Sequence, residues 1–395
     1  MNVLKFKLWH PLVVGVVALI VLATIAGCGS SSPEGIAASA APAATPEAAP
    51  AATPEAAPAA TPEVQPSAAL KACAEAQWGE ICSDPPRIFY AADVPESVRQ
   101  WLDQALVAAT KEWGNYGPLE YWVAGVDRKA SEELSEAYCA RRAAQGHFPK
   151  DGCLKHDHTA RFLPDMAEKI AAALVEGRPF SSAGLNGHRE FGFHLFSSSF
   201  PLGFAGELGV PPADDQKVVL HEYFHAVQHA HINTRDRNER DRKLGPVWFN
   251  EGSAEFMAQV TVDRLRSSGA LRVAAPEHPT ARGWGLLRDR MAHTMERVQR
   301  ALRENPSLRF TEIRYGPEQI LAYDYGTWAH AWLAAEVGER ALLDTFYPKL
   351  NAMSWEQAFL ETYGLGPGEF EAQFSEFLQL PIEQQLEILP DASSI

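Results

Sequence analysis

The segment HEYFH, residues 221–225, constrains this chain more than any other feature of its sequence. It lies within DDQKVVLHEYFHAVQHAH, where apolar residues recur at helical spacing. Residues four apart share one face of a helix, so His221 and His225 can bind the same metal ion. A zinc site of this kind needs a third protein ligand and an open position for water. The sequence therefore predicts a fold that brings a third ligand to this helix.

Glu251 is the favoured third ligand, and it lies further along the chain in WFNEGSAEF. Glu251 and Glu255 are four residues apart and therefore share a helix face. One of the two carboxylates can bind the metal. The other can accept a hydrogen bond from the far nitrogen of a ligating histidine and fix its tautomer.

His231 is the rival third ligand, because it follows His225 by six residues. In the HExxHxxGxxH pattern a glycine lets the chain leave the helix sharply, and Gln228 stands at that place here. If the helix continues, His231 points about 240° round from His225, at about 100° per residue. The spacing therefore favours Glu251 as the third ligand.

HEYFH followed by NEGSAE resembles the gluzincin group of zinc peptidases, which includes thermolysin-like enzymes and aminopeptidases with an HExxH…NEG pattern. The downstream run YDYGTWAHAWLAAEVGERAL is similar to the YxxG helix of the aminopeptidase-like branch, also called peptidase MA-like. The resemblance covers roughly residues 85–380, with strong motifs and a loose remainder. It implies a zincin-like fold.

The resemblance also implies the roles of five side chains. One zinc ion would be bound by His221, His225 and Glu251. Glu222 would act as the general base, and Glu255 would be the hydrogen-bond partner of a ligating histidine.

Tyr323, the first residue of YDYG, matches the family tyrosine that stabilises the tetrahedral oxyanion. Tyr325 and His330 are nearby alternatives for this donor. The separation of His225 from Glu251 is longer than in the aminopeptidases, and their GxMEN motif has no match here. We therefore expect an endopeptidase rather than an aminopeptidase.

Three functions are compatible with these motifs. The leading hypothesis is a membrane-tethered zinc peptidase that acts on peptides or proteins outside the cytoplasm. The second is a non-catalytic surface lipoprotein whose zinc is structural, and the third is a zinc hydrolase with a non-peptide substrate. Glu222 favours an enzyme, because a purely structural site has no use for an unligated carboxylate beside an open position.

Residues 1–27 are typical of an export signal. Lys5 and Lys7 precede an apolar run over residues 12–26, which is short for a bilayer-spanning helix of about 20 residues. The run ends in IAGC, which resembles the lipobox of bacterial lipoproteins. The resemblance implies that Cys28 is lipidated and anchors the protein to a bacterial membrane, inner or outer; a transmembrane anchor is the alternative.

Residues 28–69 contain the lipidated cysteine and a tether. APAATPEA occurs twice in it and APAATPEV once, and the repeated proline forbids a continuous helix. Four cysteines follow it, which in an oxidising compartment indicate two disulfides with three possible pairings. Short loops favour Cys73–Cys82 and Cys139–Cys153.

The folded part is predicted to be α+β. RIFYAADVP, a helix in SVRQWLDQALVAATKEWG, and LEYWVAGV predict a β–α–β start. We expect a mixed N-terminal subdomain over residues 70–282 that carries the motif helix, then a mostly helical subdomain over residues 283–395. The charged run NTRDRNERDRK between the two motifs predicts an exposed loop.

The net charge of -15 argues against nucleic acid as a partner, because phosphate binding needs a basic surface.

Overall fold

The structure is a computed structural model that describes residues 70–176, 182–199, 215–271 and 287–390 of the 395-residue chain. The predicted signal peptide, the lipidation site Cys28 and the tether lie outside these residues, so the statements about them stay predictions. Among the described residues, no helix combines the length and the apolarity that a bilayer crossing requires.

A four-stranded sheet lies in the N-terminal half of the described chain. Its strands are β1 (Arg87–Tyr90), β2 (Leu119–Val123), β3 (Ala183–His188) and β4 (Phe193–Ser198). Their order in the sheet is β1-β2-β4-β3. Strands β1, β2 and β4 are parallel to one another, and β3 runs antiparallel to β4. Helix α1 (Glu96–Trp113) connects β1 to β2, which confirms the predicted β–α–β start.

Helices pack on this sheet so that β2 and β4 are buried along their whole length. On one face, Trp122 of β2 packs edge-on against Tyr138 of α2 (Arg128–Ala144), at a ring separation of 5.1 Å. On the other face, α5 (Asp215–Ala230) packs against β3 and β4. The sheet thus supports the helix that carries HEYFH.

Two disulfides link the cysteines as predicted. Cys73 pairs with Cys82, and Cys139 of α2 pairs with Cys153 of α3 (Lys150–His156). They join residues 9 and 14 positions apart, and closing a loop of this length stabilises a fold by about 3 kcal/mol. Disulfides persist in oxidising compartments, which favours an extracytoplasmic location.

The remainder of the described chain is helical, and the part from residue 287 onward agrees with the mostly helical C-terminal region predicted there. Its helices are α4 (His158–Glu176), α6 (Arg237–Leu244), α7 (Val247–Ser267), α8 (Leu287–Glu304), α9 (Gln319–Val337), α10 (Tyr347–Lys349), α11 (Trp355–Tyr363), α12 (Pro367–Phe377) and α13 (Ile382–Gln385). Short turns at Phe310–Glu312 and Leu386–Ile388 are 3₁₀-helical, and Leu342–Phe346 is π-helical. The protein is therefore mixed α+β and mostly helical.

The exposed loop predicted for NTRDRNERDRK is wrong in part, because its second half forms α6. The Asp236 carboxylate accepts hydrogen bonds from the backbone N–H groups of Asn238 and Glu239 and so caps the helix. Leu244 is the buried residue of this helix, so a single apolar contact and a cap replace the apolar stripe that sequence periodicity detects.

Helices α7 and α9 approach each other at two glycines. A Cβ atom on Gly252 would lie 2.3 Å from the carbonyl carbon of Gly326, and one on Gly326 would lie 1.8 Å from the carbonyl oxygen of Trp248. Only glycine permits backbones to come this close. The contact holds the NEGSAE helix against the YDYG helix, so residues of both reach the same site.

Candidate metal centre

His221, His225 and Glu251 converge in the interior. The Nε2 atoms of the two histidines on α5 are 3.2 Å apart. Glu251 on α7 places its Oε2 atom 3.4 Å from Nε2 of His221 and 3.2 Å from Nε2 of His225. All three residues are buried, and together they form a group that could bind a metal ion.

The outer nitrogen of His221 faces Glu255, which lies one turn after Glu251 on α7. Nδ1 of His221 is 2.9 Å from Oε2 of Glu255. A carboxylate accepts hydrogen bonds, so Nδ1 carries the proton and Nε2 offers a lone pair to the centre. The ammonium group of Lys217 lies 2.6 and 2.7 Å from the two oxygens of Glu255 and holds that carboxylate in turn.

The outer nitrogen of His225 faces Gln228, at 2.6 Å from its Oε1 atom. The amide nitrogen of Gln228 donates to the carbonyl of Asn250 at 2.8 Å and to Oγ of Ser253 at 2.9 Å. These bonds fix which end of the amide is oxygen, so Nδ1 of His225 must be the donor. Nε2 of His225 therefore also offers a lone pair to the centre.

The dimensions of the group fit a zinc ion. Oε2 of Glu251 is buried and accepts no hydrogen bond from the described residues. A tetrahedral zinc ion with ligands at about 2.0 Å needs ligand atoms about 3.3 Å apart, which matches the three separations. Imidazole nitrogen and carboxylate oxygen are both ordinary zinc ligands. Three buried electron-pair donors at these distances form a group that could bind a metal ion.

The pKa values of the same groups indicate where a cation would be held. Burial disfavours the charged form of His221, but the neighbouring carboxylates of Glu251 and Glu255 outweigh it and raise its pKa to about 9. Burial also opposes ionisation of Glu251, yet the two imidazoles lower the pKa of its carboxyl well below the usual range. The centre thus stabilises positive charge at the point where the three ligands meet.

Glu222 follows His221 on α5 and is buried beside the group. It makes no hydrogen bond or ion pair with another described residue. Burial raises the pKa of its carboxyl above the ordinary value. A carboxylate with a raised pKa and no competing partner can exchange protons with a bound water molecule.

Two phenols reach the centre. The ring of Tyr323, on α9, lies parallel to that of His221 at a centroid distance of 6.1 Å, and its hydroxyl is buried without a partner in the described chain. Tyr315 precedes α9 and donates its hydroxyl to Oε1 of Glu251 at 2.5 Å. Tyr315 was missed by the sequence reasoning, since it lies in a turn with no periodic or motif signal.

The other candidates for the oxyanion donor lie elsewhere. Tyr325 stacks on Phe310 at 4.8 Å, within the apolar core. Nε2 of His330 is 3.0 Å from the carbonyl oxygen of Phe249, to which it donates. Of the three donors that the sequence suggested, only Tyr323 reaches the centre.

His231 is turned away from the centre, as its angular position predicts. Its Nδ1 atom lies 2.7 Å from the carbonyl oxygen of Val227, and its ring packs beside Tyr116 and Tyr347. His231 therefore contacts the C-terminal end of α5 and does not reach the metal group.

An open cleft of about 1310 Å³ lies between α6, the start of α7 and the start of α11. Arg242, Trp355 and Arg314 line it, among others. Arg314 is followed directly by Tyr315, the residue that contacts Glu251. His221, His225, Glu251 and Glu222 are not among the residues that line this cleft.

Comparison of this chain with protein-family models, with curated proteins and with solved structures found no match.

Proposed function

We propose that this protein is a zinc-dependent peptidase of the gluzincin type, with a zincin-like fold, tethered outside the cytoplasm by lipid on Cys28. The observation that carries the proposal is the pairing of the group His221, His225 and Glu251 with an unligated, buried Glu222. A structural zinc site is closed by four protein ligands, whereas a catalytic site has three and an open position. The described residues supply three.

The chain's own residues have defined roles in this reaction. When bound, a zinc ion would polarise the scissile carbonyl and lower the pKa of a water molecule towards 7. Glu222 would accept a proton from that water and pass it to the leaving amine nitrogen. Burial favours both transfers, because it brings the pKa of Glu222 closer to working pH.

Tyr323 would donate its hydroxyl to the oxyanion that develops on the scissile carbonyl. Its buried hydroxyl makes no hydrogen bond of normal geometry with the described residues, and it lies near enough to Glu251 for that carboxylate to help raise its pKa. Tyr315 is less suited to that role because its hydroxyl already donates to Glu251.

The proposal is tested by zinc content and hydrolysis of an unfolded protein by the purified full-length chain. We expect one zinc per wild-type chain and none in Glu251→Ala, with His231→Ala as a control that keeps zinc. Glu222→Gln should keep zinc and lose about 10²–10⁴-fold in hydrolysis, the usual contribution of a general base. Wild-type activity in Glu222→Gln would show that Glu222 is not the general base. A wild-type chain that binds no zinc would rule out a zinc-dependent enzyme.

A further inference from the structure

Lys217 is a buried lysine on the same helix face as the two histidines. It precedes His221 by four residues, as His221 precedes His225, so the three side chains follow one another along α5. Lys217 is 6% exposed. Its ammonium lies 2.6 Å from Oε1 and 2.7 Å from Oε2 of Glu255, and it makes no other hydrogen bond with the described residues.

The carboxylate of Glu255 is held on three sides. Lys217 contacts both oxygens, Gln259 donates to Oε1 at 2.8 Å, and His221 donates to Oε2 from Nδ1 at 2.9 Å. Without the ammonium, one amide and one imidazole would be left to hold a buried anion. The direction in which Glu255 faces His221 therefore depends on Lys217.

Stability alone does not account for this lysine. Removing two charges from water costs several kcal/mol per ion, and apolar residues of similar volume stabilise a core equally well. Among the described residues, this buried ammonium hydrogen-bonds to one carboxylate, and that carboxylate contacts a metal-group histidine, so the lysine has a more specific use. It determines the orientation of that histidine through one intervening group.

We propose that Lys217 is a positioning residue of the metal centre. It fixes Glu255 so that this carboxylate accepts the Nδ1–H of His221 and leaves Nε2 directed at Oε2 of Glu251. The inference rests on the proposed zinc function and extends the motif to KxxxHExxH together with the downstream glutamate.

The test measures the affinity of the full-length protein for Zn²⁺ alone, by competition with a chromophoric chelator. Lys217→Met keeps the apolar stem and removes the ammonium, and we expect a 10–100-fold loss, the usual cost of removing an outer partner of a metal ligand. Lys217→Arg should recover most of the affinity, because a guanidinium can bind both carboxylate oxygens. Lys243→Met is the matched control: its ammonium donates to the carbonyl of Leu350 at 2.6 Å, and its loss should leave Zn²⁺ affinity unchanged.

A double variant separates positioning from packing. In Lys217→Met with Glu255→Gln, neither partner is charged, and the amide oxygen can still accept the His221 proton. We expect this variant to bind Zn²⁺ more tightly than either single variant. If the double variant is as weak as the weaker single one, Lys217 acts through packing and the inference is overturned.

The remaining outcomes distinguish this inference from the proposed function. Wild-type affinity in Lys217→Met would overturn the positioning role and leave the zinc site standing. A wild-type chain that binds no Zn²⁺ would overturn both.

Discussion

The two histidines of the metal group reach the same orientation through different chemistry. His221 donates to the charged carboxylate of Glu255, which pairs with Lys217. His225 donates to the neutral amide of Gln228, whose own donors are taken up by a backbone carbonyl and by hydroxyls. Both arrangements direct Nε2 at the centre, so orientation requires an acceptor at Nδ1 and does not require a charge.

The difference sets the charge of the centre. Glu222, Glu251 and Glu255 together with Lys217 carry two net negative charges when all are ionised, which one divalent cation balances. A second carboxylate in place of Gln228 would leave an excess buried anion. The amide at Gln228 thus holds His225 without adding a negative charge, which suits the single zinc ion that we propose.

Glu255→Ala is the substitution that we expect to change Zn²⁺ affinity most. It removes the acceptor of His221 and leaves Lys217 as an unpaired buried cation near the metal. We expect a loss of about 100-fold in Zn²⁺ affinity, at the upper end for such partners, with the fold retained. Calorimetric titration with Zn²⁺ measures the affinity, and circular dichroism of the same sample measures whether the fold is retained. Unchanged affinity would show that His221 needs no partner.

A smaller effect on affinity is expected from Gln228→Leu on the other side of the centre. Loss of the Gln228 amide leaves His225 free to rotate but introduces no unpaired charge, so Zn²⁺ affinity should fall about 10-fold. The metal-free protein should also lose about 1–3 kcal/mol in its free energy of unfolding, because the amide's buried partners Asn250 and Ser253 lose a donor. The same titration and a urea unfolding curve test both. An affinity loss larger than that of Glu255→Ala would reverse the comparison.

How far the sequence predicts this molecule depends on whether a feature is local. The motif helix, the face shared by Glu251 and Glu255, and the outward direction of His231 follow from helix geometry. Tyr315 and the contact of α7 with α9 bring together residues distant in sequence, which periodicity does not report. The sequence predicts a loop where α6 forms, because a cap and Leu244, rather than an apolar stripe, stabilise this helix. The sequence marks Gln228 only as the absence of a glycine, whereas the structure shows its amide bound to His225 and Asn250.

A third buried histidine lacks the partners that His221 and His225 have. His194 on β4 stacks on Trp78 at 4.4 Å, and its Nδ1 accepts no hydrogen bond from the described residues. Burial lowers its pKa to about 3, with nearby His188 and Arg240 acting in the same direction. Burial lowers the pKa of His330 to about 3 as well and that of His229 well below its ordinary value, so His194 is one of several contributors of this kind.

The sign of the pH dependence follows from these values. Between the ordinary histidine pKa of about 6.5 and the folded value of about 3, the unfolded chain binds more protons than the folded chain. Stability is therefore fully present above about pH 6.5 and is lost as pH falls through this window, by up to about 1.4 kcal/mol per pH unit for each such histidine. His194→Phe keeps the stacking on Trp78 and removes the titration, so urea midpoints measured from pH 7 to pH 4 should fall less steeply than in the wild type. His156→Phe, at an exposed histidine at the end of α3, is the control that should leave the slope unchanged. An equal slope in His194→Phe would mean that His194 is already paired or protonated in the folded protein, and the contrast with the two metal-group histidines would then be lost.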